Sequence, residues 1–136
     1  MSEVTFESYP HVSRVTFVIH GENLDIDAIS SALRLVPTHT HRKGEFNRLG
    51  EEFPHDMWAL TAPIPPNEPL DSALKWLISN LEPSYSFITS LKRKADIHIF
   101  CGITTDREQS GFSLSSEALT VFTRLGIPMY ISILAI

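Results

Sequence analysis

The spacing of apolar residues changes along this chain from two to three or four and back again, and this alternation constrains the fold more than any other feature of the sequence. Between residues 13 and 20, Val15, Phe17 and Ile19 occupy every second position, which is typical of a strand with one buried face. Gly21 follows directly. The sequence therefore predicts a first strand over residues 13–20.

Three other segments repeat apolar residues at intervals of three and four, which predicts amphipathic helices. The first covers residues 25–35, and its first residue, an aspartate, is the predicted N-cap. The second covers residues 70–81, with Asn67 as the predicted N-cap. The third begins at Ser115 and stops at Gly126, because glycine readily adopts the left-handed conformation that ends a helix.

Four further segments are predicted to be extended. Residues 55–62, 95–103 and 129–136 are interpreted as strands because apolar residues alternate or run together within them. Residues 38–46 are polar and alternate only roughly, so the sequence leaves open whether they form an edge strand or an extended loop.

The order of these elements predicts the fold class. Taken from the N-terminus, the first six spell βαββαβ, the order of ferredoxin-like domains, and one more helix and strand follow. We therefore expect a single α+β domain over residues 1–136. It would have a ferredoxin-like core with an added αβ unit, and a mostly antiparallel sheet with its helices on one face.

Charge and cysteine content exclude several classes of partner. The 136 residues include 11 Lys+Arg against 16 Asp+Glu, and the net charge of −5 provides no field that would attract nucleic acid or an anionic membrane surface. The single cysteine, Cys101, is typical of a reducing compartment. No apolar run approaches the ~20 residues of a membrane span. We therefore expect a cytoplasmic protein without a nucleic-acid or membrane partner.

Polar residues concentrate in residues 37–45, which read Pro-Thr-His-Thr-His-Arg-Lys-Gly-Glu. His39 and His41 are two residues apart, so on a strand both imidazoles point to the same side and could reach one metal ion. A third ligand could come from His55 or Asp56 across a hairpin. The chain has no fixed-spacing zinc signature, however, and the neighbouring basic side chains disfavour a dication. We therefore predict no metal ion and no cofactor.

The same loop suits an anion better than a cation. Arg42, Lys43 and Arg48 could bind a carboxylate or a phosphate, the arginines through a planar fork and the lysine as a point charge. Nearby acidic residues support a competing interpretation, a surface of local salt bridges, which we favour. The candidate ligand-binding residues, in and after the loop of residues 39–48, are His39, His41, Arg42, Lys43, Glu45 and Trp58.

No local signature of catalysis stands out. The chain lacks the Gly-x-Ser-x-Gly elbow and the glycine spacings of phosphate-binding loops. His98 and Cys101 are three residues apart and point to opposite faces of a strand, so the imidazole cannot activate the thiol. We favour a non-catalytic binding or protein-interaction domain. The alternative is a small anion-binding enzyme in which Lys43 holds substrate charge and His41 transfers a proton.

The sheet face opposite the predicted helices would carry more apolar surface than a monomer usually exposes. This surface could be shielded by the Pro-rich segment of residues 63–69 or by Val4, Phe6 and Tyr9 near the N-terminus. Otherwise we predict a homodimer, because two-fold pairing is the commonest closed arrangement, with another protein as the alternative partner. We also expect the closing apolar strand to be docked in the fold rather than frayed. The predicted residues of this face are Val18, His20, His98, Phe100, Tyr130 and Leu134, with either Trp58 and Leu60 or the residues that alternate with them.

Several short patterns, taken in order, resemble a family of small bacterial proteins that is catalogued as a domain of unknown function. They are Phe17-x-Ile19-x-Gly21, the helix of residues 25–35, Pro37-Thr38 followed by Lys43-Gly44-Glu45, Trp58-x-Leu60, and Leu125-Gly126 before the final apolar strand. Together they span nearly the whole chain. The resemblance implies an intracellular α+β domain and brings no reaction, ligand or catalytic residue.

Overall fold

Strand β1 (His11–Gly21) lies at the centre of the sheet and pairs along both of its edges. The computed structural model describes residues 11–65, 68–105 and 111–135. Neighbouring strands are antiparallel except the last two, β4 and β5, which are parallel. The other strands of this part of the chain are β2 (His39–His41), β3 (Asp56–Thr61), β4 (Asp96–Thr105) and β5 (Met129–Ala135), and the spatial order is β2-β3-β1-β4-β5.

Helical segments connect these strands. The described residues contain α1 (Ile26–Leu33), α2 (Leu70–Leu81), α3 (Tyr85–Leu91) and α4 (Ser116–Leu125), and a short 3-10 turn joins α2 to α3. The predicted α+β class and the mostly antiparallel sheet are therefore confirmed.

One face of the sheet packs against the helices and forms the core. Val15, Phe17 and Ile19 on β1 are fully buried, and their cross-strand neighbours on β3 and β4 are buried as well. The buried side chains of all four helices belong to the same apolar cluster. Because burial of such a side chain contributes roughly 1.5–3 kcal/mol, this layer contact provides most of the driving force for the fold.

The predicted strands agree with the structure to within two residues at each end. The ambiguous segment of residues 38–46 forms only the three-residue strand β2 before the chain leaves the sheet. The departure has a local cause, because the backbone N–H of Lys43 donates to the carboxylate of Asp56 and not to a neighbouring strand.

Two of the predicted helix caps are confirmed. The side chains of Asp25 and Ser115 accept hydrogen bonds from backbone N–H groups three residues later, at 3.0 and 3.1 Å. The predicted cap of α2, Asn67, lies outside the described residues, and the N-cap position is held by Pro69, which makes no side-chain capping bond. Sequence analysis did not predict α3 (Tyr85–Leu91).

The closing strand is docked on the sheet, as predicted, but its side chains are not covered. Strand β5 pairs with β4 through its backbone, and residues 130–135 are exposed. Large apolar side chains are exposed on both faces of the strand, with Ile133 at 64% and Leu134 at 59%. The described helices therefore do not extend far enough to cover the last strand of the sheet.

The end of α4 allows a test of backbone conformation. Gly126 has a φ of +64° and closes the helix with a hydrogen bond from its N–H to the carbonyl of Phe122. A Cβ here would lie 2.8 Å from the Nζ of Lys92. We expect Gly126→Ala to lower the free energy of unfolding by roughly 1–2 kcal/mol, measured by urea denaturation, because an L-residue is strained at this φ.

Gly111→Ala is the matched control for this change. A Cβ on Gly111 meets no atom within 4 Å, so its free energy of unfolding should stay close to that of the wild type. Equal stabilities for the two variants would contradict the capping role of Gly126.

Candidate functional site

Asp56, at the start of β3, organises the polar loop that the sequence singled out. Its buried carboxylate accepts hydrogen bonds from the backbone N–H groups of Lys43 at 2.8 Å and Leu24 at 2.9 Å, and from the guanidinium of Arg42 at 3.3 Å. The bond from Lys43 is the main cause that holds the pKa of Asp56 below its usual range; burial opposes it, and Leu24 and Arg42 reinforce it. Asp56 therefore ties the loop to the start of α1.

Arg42, Lys43 and Glu45 of the loop also have partners within the chain. Arg42 donates to the carbonyl of Leu24 at 2.6 Å, and the carboxylate of Glu45 accepts the backbone N–H of Arg42 at 2.6 Å. The ammonium of Lys43 lies 3.0 Å from the carboxylate of Glu22. These contacts match the salt-bridged surface that the sequence analysis favoured over an anion site.

His39 and His41 form a pair on the second face of the sheet, the face opposite the helices. Their rings join through a hydrogen bond of 2.8 Å between Nε2 of His39 and Nδ1 of His41. The ring of Phe53 stacks on His41, with ring centres 3.5 Å apart and planes 5° apart. Burial, with a smaller contribution from the charge of His39, lowers the pKa of His41. The lowered pKa favours the neutral ring of His41, which shares this hydrogen bond with His39.

Trp58 lies apart from the other five candidate residues. Its neighbour Met57 pairs with His41 and so faces the same side of the sheet as that imidazole. Because successive residues of a strand point to opposite faces, Trp58 faces the helices. Its indole is fully buried and donates from Nε1 to the hydroxyl of Ser30 at 2.9 Å. The structure therefore gathers five candidate residues around the loop and places the sixth in the core, on the other side of the sheet.

A metal ion at the loop would need several ligands around one point. Among the described residues, no group of three histidine, cysteine or acidic side chains is arranged to hold a metal ion. His39 and His41 do point to the same side, as their spacing predicts, but they bind each other. Asp56, proposed as a third ligand, is engaged with the backbone of the loop.

An open groove on the second face was not anticipated by the sequence analysis. It has a volume of about 390 Å³ and crosses β1, β4 and β5. The guanidinium of Arg14 lies over the ring of Phe100, 4.7 Å from its centre, in the favourable range for a cation above an aromatic ring. The lining residues are Ser13, Arg14, Phe100, Gly102, Ile103, Thr104, Ser132 and Leu134.

The groove depends on an irregularity in β1. The pairing of β1 with β4 shifts between Val12 and Arg14, which inserts Ser13 as an extra residue. Opposite this bulge is Gly102, where a Cβ would lie 2.8 Å from the hydroxyl of Ser13. The alternation of apolar and polar residues along β1 and β4 predicts that Arg14 and Phe100 face outward. Nothing in the sequence predicts the bulge, which places both side chains beside Gly102.

The rest of the second face carries the predicted His20 and His98, whereas Val4, Phe6 and Tyr9, which could shield it, lie outside the described residues. The residues that alternate with Trp58 and Leu60 face this side, as the cross-strand register requires. The imidazole of His98 lies 5.6 Å from that of His20 and 4.6 Å from the ring of Tyr130, measured between ring centres. Burial, with a smaller contribution from His20, lowers the pKa of His98. Exposed apolar side chains are therefore concentrated at the β5 end of this face.

Cys101 has the environment of a core residue. It is fully buried on the helix side of β4, and burial raises the pKa of its thiol to about 11. Because the reactive form of cysteine is the thiolate, this group is a poor nucleophile at neutral pH. His98 is on the other face of the strand, as the spacing of three predicts.

The fold and these contacts define a small α+β domain with an open groove and a polar loop whose charged groups form ion pairs within the chain. Comparison with known proteins identifies its family. The model of the family described as domain of unknown function (DUF4279) matches residues 10–135, and the chain belongs to this family. The resemblance inferred from the sequence is therefore confirmed. No curated protein and no solved structure matches the chain. None of the described helices has the length and apolar character needed to cross a membrane.

The role of Asp56 gives a stability prediction. Asp56→Asn keeps the shape of the side chain but replaces one of the two acceptor oxygens by a donor. That donor faces either the N–H of Lys43, which binds Oδ1, or the N–H of Leu24, which binds Oδ2. We expect a loss of roughly 2 kcal/mol in the free energy of unfolding at neutral pH, measured by urea denaturation, because the lost bonds are to a charged group.

The same variant should remove part of the dependence of stability on pH. The folded pKa of Asp56 is below its ordinary value of 3.8, so its contribution is present above pH 3.8 and disappears as the pH falls through the folded pKa. The stability difference between wild type and Asp56→Asn should shrink in that window. Glu51→Gln, an exposed change in the same loop, is the control, and an equal loss there would contradict the role of Asp56.

Proposed function

We propose that this chain is a non-catalytic interaction domain that associates with a second copy of itself. The observation that carries the proposal is the exposure of large apolar side chains on both faces of β5. Tyr130 and Ile131 are 55% and 43% exposed, beside the still more exposed Ile133 and Leu134. Concentration of such side chains on one strand is typical of an interaction surface, whereas scattered ones are not.

The free energy gained by burying these apolar side chains favours association of two copies over a β5 strand left exposed to water. Full burial of one such side chain contributes roughly 1.5–3 kcal/mol, so burying the half that is exposed contributes roughly 1 kcal/mol each. Four of these side chains lie on each copy, and a symmetric contact would bury both sets. This gain offsets a substantial part of the entropy lost when two chains associate.

The non-catalytic assignment has support in the two places where chemistry was sought. The thiol of Cys101 is buried with a raised pKa, and the charged groups of Arg42 and Lys43 are engaged with carboxylates or carbonyls. A lone reduced cysteine also supports a cytoplasmic location as part of the proposal.

The finer description of the fold is also a proposal. The order β4-β1-β3-β2, with antiparallel neighbours throughout, supports a ferredoxin-like plan for the first four strands. Helix α4 and strand β5 would then be an addition at the β4 edge of that plan.

The homodimer can be tested by size-exclusion chromatography with light scattering over a range of protein concentrations. We expect a species of twice the monomer mass that does not grow further as the concentration rises. A monomer at every concentration would refute self-association, and a continuous series of larger species would refute a closed dimer.

A second candidate function, anion binding at the loop of residues 39–48, is favoured by the exposure of its basic groups. The side chains of Arg42 and Lys43 are 52% and 60% exposed although both are paired. An anion could therefore compete with Glu22 for the ammonium of Lys43. Trp58 would take no part in this site because it is buried on the other face of the sheet.

Thermal denaturation with inorganic phosphate tests this candidate. If the loop binds phosphate, Tm should rise with phosphate concentration at constant ionic strength, because a ligand that binds only the folded state stabilises it. Lys43→Gln should abolish the rise, and Lys94→Gln, an exposed lysine outside the loop, should keep it. An unchanged Tm, or an equal rise in both variants, would exclude phosphate binding by Lys43.

A further inference from the structure

The backbone groups on the outer edge of β5 can be assigned from one hydrogen bond. The N–H of Ile99 on β4 donates to the carbonyl of Pro128 at 3.1 Å. Backbone groups alternate in direction along a strand, so Tyr130, Ser132 and Leu134 also turn their N–H and C=O groups toward β4. The residues that turn theirs away from β4, to the outer edge, are Met129, Ile131, Ile133 and Ala135.

Within the part of the chain that the structure describes, this outer edge lacks the features that usually keep a strand from pairing with another chain. The seven residues of β5, Met-Tyr-Ile-Ser-Ile-Leu-Ala, include no charged residue and no proline. The pairing of β5 with β4 runs over all seven without a shift in register. Natural edge strands are commonly protected by charges, prolines, bulges or short length. Strand β5 is instead an uninterrupted template for a further strand.

The sequence of β5 is complementary to itself in the antiparallel direction. A two-fold axis at Ser132 overlaps all seven residues and places Ile131 opposite Ile133 of the partner subunit. It also places Tyr130 opposite Leu134 of the partner subunit, on the other face of the sheet. Each apolar side chain that is exposed in the monomer thereby meets another apolar side chain, and such cross-strand pairs stabilise a sheet.

The hydrogen-bonding pattern fits the same register. In antiparallel pairs, the residues whose N–H and C=O groups face the partner exchange two hydrogen bonds. With the axis at Ser132, these pairs are Ile131 with Ile133 and Met129 with Ala135, and all four residues face outward. Ser132 then faces its own copy at a position without hydrogen bonds, where opposite Cα atoms approach to about 4.5 Å.

Pairing through β5 would stop at two copies. A strand edge that has paired with its own copy is no longer available, and the other outer strand of the sheet, β2, has only three residues. Short length is one of the features that protects an edge. The contact is therefore a closed two-fold contact and does not propagate into a fibre.

We propose that two copies of this domain join by antiparallel pairing of their β5 strands, centred on Ser132, into one continuous ten-stranded sheet. This inference rests on the self-association proposed above and specifies how it occurs. Because Ser132 and Leu134 line the groove on the second face, the two grooves would lie side by side across the two-fold axis. The dimer would thus present one double groove with an arginine, Arg14, from each copy.

Substitutions at Ile133 test the edge. Ile133→Lys places an ammonium where the partner's strand would pack, and Ile133→Pro removes an outward N–H without removing a bond to β4, since proline is tolerated at such edge positions. Both variants should be monomeric by light scattering at concentrations where the wild type is dimeric. Circular dichroism and urea denaturation should show a folded chain in both cases.

Leu49→Lys is the matched control. Leu49 is 82% exposed and lies in the loop between β2 and β3, so the same change of an exposed apolar side chain to lysine should leave the dimer intact. A dimer that survives both changes at Ile133 would refute pairing through β5 while leaving self-association standing. A monomeric wild type would refute both proposals.

Disulfide trapping tests the register. Ser132→Cys places two thiols opposite each other at a spacing within the range of disulfide Cα distances, so mild oxidation should give a covalent dimer on a non-reducing gel. Tyr130→Cys is the control, because the axis at Ser132 places it opposite Leu134 of the partner subunit and away from its own copy. Cross-linking at Tyr130→Cys but not at Ser132→Cys would refute the proposed register.

Discussion

The burial of β1 on its helix side is the contact on which the rest of the structure depends. Phe17 and Ile19 pair with both neighbouring strands, Val15 pairs with β4, and all three belong to the apolar cluster that includes the helices. Because burial of apolar area is the dominant favourable contribution to folding, this row fixes which face of every other strand points inward. The faces of β3, β4 and β5 then follow from register, and with them the positions of Trp58 and Cys101.

A second constraint acts where the chain leaves the sheet. The carboxylate of Asp56 holds the backbone of Lys43 and the start of α1 together, so the loop after β2 is shaped by one buried acid. Buried carboxylates are tolerated when several donors satisfy them. Asp56 therefore explains why hydrogen-bonding groups of this polar loop, at Arg42 and Lys43, bind within the chain.

The candidate site could be predicted only in part. The spacing of His39 and His41 correctly places both imidazoles on one side, and the clustering of Arg42 and Lys43 with acidic residues correctly indicates salt bridges. The placement of Trp58 could not be predicted, because its strand carries apolar residues on both faces. The sequence pattern is therefore equally compatible with Trp58 facing the helices or facing the opposite side of the sheet. The groove at Arg14 depends on a bulge of one residue, which alternation does not reveal.

The sequence by itself determined most of the elements and their order, with α3 missed, because the periodicity of apolar residues and the helix-ending residues are local signals. It fixed the central strand, the caps at Asp25 and Ser115, and the closing strand within a residue or two. Only the tertiary structure decided how far the helix layer reaches and therefore that β5 is left exposed. That outcome depends on how helices of given length pack across a sheet, a non-local property that no segment of the chain encodes alone.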